Sequence, residues 1–276
     1  MPQNSQLTVI RPRKGWQLID WRELVQYRDL FYFFVWRDIK VLYKQTVLGF
    51  GWAIIRPVLS MVVFSVVFGR LAKVPSDNVP YPVFSYAALV PWTYFSSATT
   101  TSTQSLINNA ATLSKVYFPR LIIPMTSVLA KLVDFAIAFV IVGILMIWYG
   151  IRPTADIVYL PMLVVLMLLT AAGIGMWLSA LAIQYRDIRF AIQFMTQLLM
   201  YAAPVVWPVS LIPDKYRLAY GVYPMAGIIE GFRCALLGTN PMPWDLIGIG
   251  TIAAAVVFVT GMFHFRRMER VFADVA

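Results

Sequence analysis

The chain has 276 residues, of which 60% are hydrophobic and only 13% charged, against roughly 45–50% apolar and about 25% charged in soluble domains. That balance excludes a soluble globular domain and marks an integral membrane protein. The net charge of +10 reads as a topology signal and an attraction to anionic lipid rather than to nucleic acid, because Lys and Arg lie between apolar runs instead of clustering on a soluble face.

One cysteine, Cys234, and one histidine, His264, exclude an internal disulfide and supply no ligand set for a metal. None of G-x-x-x-x-G-K-S/T, H-E-x-x-H or G-x-S-x-G occurs, so neither a phosphate-cradling loop nor a hydrolytic signature is present. No catalytic residue and no cofactor are expected in this chain.

Residues 1–50 are too polar and basic for a secretory signal, and the N-terminus is expected to stay in the cytoplasm. Within them, "LFYFFVWRDIKVLYKQ" (30–45) has helical period, with Phe31, Val35, Ile39 and Leu42 on one side and Arg37, Lys40 and Lys44 on the other. That pattern predicts an amphipathic helix lying in the cytoplasmic interface.

Six stretches are long and apolar enough to cross a hydrocarbon core of about 30 Å: 51–69, 83–104, 122–148, 157–183, 190–207 and 244–265. The second contains "SSATTTSTQS" (96–105), whose small hydroxyl residues either let helices pack closely or line a wet path. The third contains Lys131 and Asp134, close enough on a helix to pair. Such a pair either holds packing near the cytoplasmic end or serves a transport path. Trp92, Tyr94, Phe95, Tyr201 and Trp207 fall in spans or near their ends, and they read either as an interfacial aromatic belt or as the flat lining of a path.

The stretch 216–238 holds Pro224, Glu230, Arg233 and four glycines. It is too broken for a lipid-facing helix and is expected to form a re-entrant or interfacial extracytoplasmic hairpin, in which Glu230 and Arg233 either pair to anchor a gate or contact substrate directly. Six spans with both termini inside place Arg28, Arg37, Lys40, Lys44, Lys115, Arg120, Arg186, Arg189, Arg266, Arg267 and Arg270 on the cytoplasmic side. Only Arg70, Lys73, Arg152, Lys215, Arg217 and Arg233 then lie outside, as the positive-inside rule asks. The fold expected is thus all-α: one transmembrane domain over 1–276, with an interfacial segment 1–50, six spans over 51–265 and a cytoplasmic tail 266–276.

The segments "LYKQTVLGFGWAIIRPVLSMVVFSVVFGRL" (42–71), "NNAATLSKVYFPRLIIP" (108–124) and "IQYRDIRF" (183–190), in this order and spacing, resemble the membrane subunits of ABC transporters that export bacterial surface polysaccharides. The resemblance covers nearly the whole chain. It implies a permease in the bacterial cytoplasmic membrane that works as a homodimer with two copies of a separate subunit binding ATP and Mg. It also implies a substrate of the O-antigen or capsule kind, carried on a polyprenyl pyrophosphate lipid.

By the same resemblance Leu113, Lys115, Tyr117, Phe118 and Arg120 form a coupling element seated in a cleft of the ATPase. Lys115 and Arg120 would meet acidic groups there, or else bind lipid headgroups, while Tyr117 and Phe118 would be apolar anchors. Arg37, Lys40, Lys44 and Arg56 are candidates for the lipid pyrophosphate, since a multiply charged head rewards several cations. The aromatic residues would stack on sugar rings, and the hairpin would be the family's outer gate. An exporter of a small lipid or drug, and a channel or secondary transporter, are the competing readings.

Overall fold

The computed structural model describes residues 25–44, 49, 51–113, 115 and 118–269, with no strand among them. Helices are what such a chain must form, since in lipid every backbone polar group has to be satisfied internally. In chain order they are α1 (Arg28–Tyr43), α2 (Gly51–Phe64), α3 (Tyr81–Asn108), the short α4 (Ala110–Leu113), α5 (Ile122–Ala130) and α6 (Leu132–Trp148). There follow α7 (Leu160–Gln184), α8 (Ile188–Ala202), α9 (Asp214–Gly221), α10 (Pro224–Leu237) and α11 (Trp244–Glu269). A π-helical turn, Ser65–Leu71, prolongs α2.

Among the described residues, four continuous pieces are long and apolar enough to cross a membrane: Gly51–Leu71, Ile122–Trp148, Ala155–Gln184 and Trp244–Glu269. They coincide with four of the six expected spans. Of the other two, 83–104 lies within α3, which owes its length partly to hydroxyl residues, while 190–207 is helical only as far as Ala202, in an α8 of 15 residues.

The hydroxyl-rich α3 is the centre of the bundle, packed against α2, α5, α6, α7, α8 and α10. Three of its polar side chains bond carbonyls of neighbouring helices. Tyr86 Oη donates to the Ala138 carbonyl at 3.3 Å, Tyr94 Oη to that of Val128 at 3.0 Å, and Ser102 Oγ to that of Pro124 at 3.1 Å. Thr103 and Ser105 bond back to carbonyls of their own helix. Of the two uses open to the run 96–105, close packing therefore accounts for Ser102 and Thr103, both buried.

Helices α7 and α11 cross where Gly173 faces Gly261. A Cβ on Gly173 would stand 2.8 Å from the Phe258 backbone, and one on Gly261 would stand 2.5 Å from the Gly173 carbonyl oxygen. Two glycines let the backbones touch, as small residues do between membrane helices. At the end of α10, Gly238 takes φ +63 and terminates the helix with its N–H on the Cys234 carbonyl.

Helix α1 packs on α5, but not with the sidedness expected. Phe34 is its buried anchor, while Tyr32, Phe33 and Trp36 are exposed. Arg37 sits on the anchored side, its guanidinium 4.6 Å from the centre of the Phe34 ring. The 3.6-residue period puts 34 and 37 one turn apart on one face, so the cation cannot face away from the bundle when Phe34 is buried in it.

Candidate functional site

Two constellations of polar groups lie at opposite ends of the bundle. The first is a cavity of about 330 Å³ where α1, α3 and the α5–α6 junction meet, lined among others by Arg37, Thr101, Ser105, Asn108, Ser127 and Lys131. Arg37 is placed there by the Phe34 anchor. Lys131 is placed there by the break between α5 and α6, which ends one helix and starts the next around it.

Both cations have a local carboxylate. Arg37 donates to Asp38 Oδ1 from Nε at 3.0 Å and Nη2 at 2.7 Å, and Lys131 Nζ lies 3.2 Å from Asp134 Oδ2. The i,i+3 pair expected from sequence is thus formed. Neither cation has exhausted its hydrogens, since a guanidinium carries five N–H donors and an ammonium three. The cavity therefore offers charged donors beside hydroxyl and amide groups, the chemistry that receives a phosphate or a polyhydroxylated head.

The second constellation is a buried clamp at the other end. Arg233 is fully buried and Glu230 nearly so, and Arg233 Nη1 meets Glu230 Oε2 at 3.3 Å. The guanidinium also donates from Nε to the Phe84 carbonyl at 3.3 Å, from Nη2 to Val205 at 2.7 Å and from Nη1 to Trp207 at 3.3 Å. It stacks 3.7 Å over the Phe84 ring. Tyr81 Oη closes the set on the Val206 carbonyl at 2.6 Å.

The segment 203–208 carries Pro204 and Pro208 and is not helical; the Ala203 and Pro208 carbonyls accept from the Val205 and Leu211 N–H groups, while those of Val205, Val206 and Trp207 turn to side chains. These side chains come from α3 and α10, which is how irregular backbone is kept inside a membrane protein. Asp77 adds a strap at the same end, accepting from Ser210 Oγ at 3.1 Å and Asn240 Nδ2 at 3.0 Å.

The other residues singled out by sequence are dispersed. Lys40 and Arg56 are exposed, each over a tryptophan of its own helix, Trp36 at 5.1 Å and Trp52 at 5.6 Å. Neither they nor Lys44 line the cavity, so of the four cations expected to act together only Arg37 is there. Lys131 joins it, a convergence invisible in sequence because 94 positions separate the two.

In the 113–120 loop, Lys115 is exposed and Leu113 half-buried, while Tyr117 lies outside the described residues. Phe118 corrects the expectation of an outward anchor. It is only 3% exposed, and its ring lies 5.3 Å from that of Phe34. The apolar anchor turns inward because α1 needs something to dock on. Arg120 bonds the last turn of α11, through Nη1 to the Glu269 carbonyl at 3.3 Å.

Of the five aromatic residues, Trp92, Tyr94 and Phe95 are buried in the core and form neither a lipid-facing belt nor an open lining within this chain. Tyr201 is exposed and Trp207 half-buried.

An all-helical protein with several membrane-spanning helices, a polar cavity at one end and irregular backbone clamped at the other has the build of a membrane transport component. Residues 29–237 match the model of the ABC-2 type transporter family, and the chain belongs to that family. It is 28% identical over 254 residues to the O-antigen export system permease protein RfbA of Myxococcus xanthus, an alignment covering 90% of this chain and 96% of the relative. The RfbA of Klebsiella pneumoniae is 26% identical over 240 residues, covering 87% and 92%. The polysialic acid transport protein KpsM of Escherichia coli is 21% identical over 206 residues, covering 73% and 78%. Membership in a transporter family makes the chain a permease subunit rather than an enzyme.

Proposed function

We propose that this chain is the permease of an ATP-driven exporter that moves a polyprenyl-pyrophosphate-linked polysaccharide, of the O-antigen or capsule kind, across the bacterial inner membrane. The observation that carries this reading is the cavity holding Arg37 and Lys131 at the end of the bundle where the 113–120 loop also lies. In it the pyrophosphate head meets paired cations that keep donors free, and the hydroxyl and amide lining meets the first sugars. The relatives' names support the glycan class.

In this reading the chain crosses the membrane six times with both termini in the cytoplasm, as one transmembrane domain. Helix α8, about 22 Å long, falls short of the core of about 30 Å, and the non-helical 203–208 segment extends it. Helix α10, about 21 Å long and buried along almost its whole length, is the re-entrant arm of an outer gate, with α9 before it. The Glu230–Arg233 clamp holds that gate to α3. Sugar rings stack on Tyr201 and Trp207, the two aromatics that face outward from the core.

The chain acts as a homodimer with two ATP-binding subunits that carry ATP and Mg. The 113–120 loop docks on them through Lys115, since Phe118 is occupied within the chain. Co-expression with the ATP-binding subunit and purification through a tag on this chain tests the coupling. Stoichiometric recovery that is lost in Lys115→Glu supports it, and recovery unaffected by that change removes the loop from the contact. A small-lipid exporter stays the second reading, favoured if ATPase activity responds to lipid but not to lipid-linked glycan.

A further inference from the structure

We propose that a groove at the clamped end of the bundle, between α2, the start of α3 and the end of α6, binds one anionic phospholipid of the adjacent leaflet. The groove holds about 480 Å³, within the range of small-molecule sites.

Its floor is apolar. Met61, Val66 and Leu145 line it, and the one hydroxyl on that stretch, Ser65 Oγ, is turned back onto the Met61 carbonyl at 2.7 Å. The π-helical turn Ser65–Leu71 opens this side of the helix, and single π-turns recur at binding sites. There the Ala72 N–H reaches back to the Val67 carbonyl at 2.9 Å. Gly69 lies against Tyr81 so closely that a Cβ would stand 2.9 Å from the ring. The groove is therefore cut between two helices that touch at its base.

Its mouth is cationic. Arg70 lines it, is exposed, and makes no ion pair among the described residues. No carboxylate lines the groove. The Tyr149 side chain stands beside it, and Trp148, 82% exposed, marks the boundary where amphipathic aromatics meet headgroups.

An apolar trough with one unpaired guanidinium at the headgroup level fits an acyl chain with a phosphate above it. A second copy of the chain seated there would bury Arg70 with no acid from this side, which costs heavily. A phospholipid brings the counter-charge itself. Only 6% of the apolar window of Gly51–Leu71 is buried, so something must cover it. The inference does not depend on the transport reading.

The test is photolabelling of the full chain in nanodiscs with diazirine-bearing phosphatidylglycerol or phosphatidylcholine, followed by mapping of the labelled peptides. Phosphatidylglycerol should label residues 61–70 and 145–149, and Arg70→Gln should lower that labelling about five-fold while leaving the weaker phosphatidylcholine signal unchanged. Val66→Trp, which fills the trough and keeps the cation, should lower it as well, so the outcome does not hang on one variant folding. Equal labelling by the two lipids, or labelling indifferent to both substitutions, overturns the proposal. So does efficient disulfide formation between two copies carrying Val66→Cys, which would make the groove a protomer contact.

Discussion

Arg233 is the residue whose surroundings say most about the outer end of the molecule. One side chain satisfies three carbonyls from two segments and one carboxylate, and removing one partner of such a buried set strands the others. Arg233→Ala should lower stability by about 3–5 kcal/mol in denaturant titration of the detergent-solubilised chain. Arg233→Lys should recover little, because an ammonium cannot imitate the fork that reaches Phe84, Val205 and Trp207 together. A near-neutral Arg233→Ala would remove the clamp from the account.

The pair itself was legible, since helix geometry dictates that 230 and 233 meet. Its carbonyl partners were not, because they come from chain more than 20 residues away. Lys115 and Phe118 make a second contrast. The Lys115→Glu change should alter stability by no more than about 0.5 kcal/mol, as surface changes do. Phe118→Ala should cost about 3–5 kcal/mol as a core truncation. Thermal unfolding of the two variants separates a docking residue from a packing residue, and nothing in "KVYFPR" reveals that Phe118 turns inward.

Among the elements, the crossing of α7 and α11 rests on backbone contact at Gly173 and Gly261. Gly173→Ala should force the helices apart and cost about 1–3 kcal/mol, as overpacking does, whereas Ala at Gly143, which has open space around its Cβ position, should be tolerated. Equal melting temperatures for the two variants would mean that the crossing has slack. Long apolar runs made four of the spanning helices readable in advance, whereas Pro224, which reads in sequence as a break within the hairpin, is the first residue of α10. The sidedness of α1 is not legible in sequence because its aromatics outnumber its charges: with Phe31, Tyr32, Phe33, Phe34 and Trp36 in one run, several faces look apolar, and only docking on Phe118 selects Phe34.

At the scale of the molecule, one chain leaves much apolar surface uncovered. Phe190, Phe194 and Leu198 of α8 are all exposed at helical spacing, and the homodimer proposed above gives them a partner. Phe194→Cys should therefore form disulfide-linked dimers in membranes under mild oxidation, with little background because Cys234 is buried. A chain that stays monomeric under those conditions contradicts a dimer contact through α8. The class of the protein could be read from composition and motif order, while the meeting of Arg37 with Lys131 required the fold.

The central claim is that this meeting receives a lipid-linked glycan for export. Its most direct test is ATP-dependent movement of a radiolabelled polyprenyl-pyrophosphate glycan into inverted inner-membrane vesicles carrying the chain and its ATP-binding subunit. Uptake should depend on ATP and fall at least about ten-fold in Arg37→Gln with Lys131→Gln, the loss of two charge-assisted contacts, with ATP-binding subunit recovery unchanged. Uptake that is equal in vesicles lacking the chain, or indifferent to the double substitution, would contradict it.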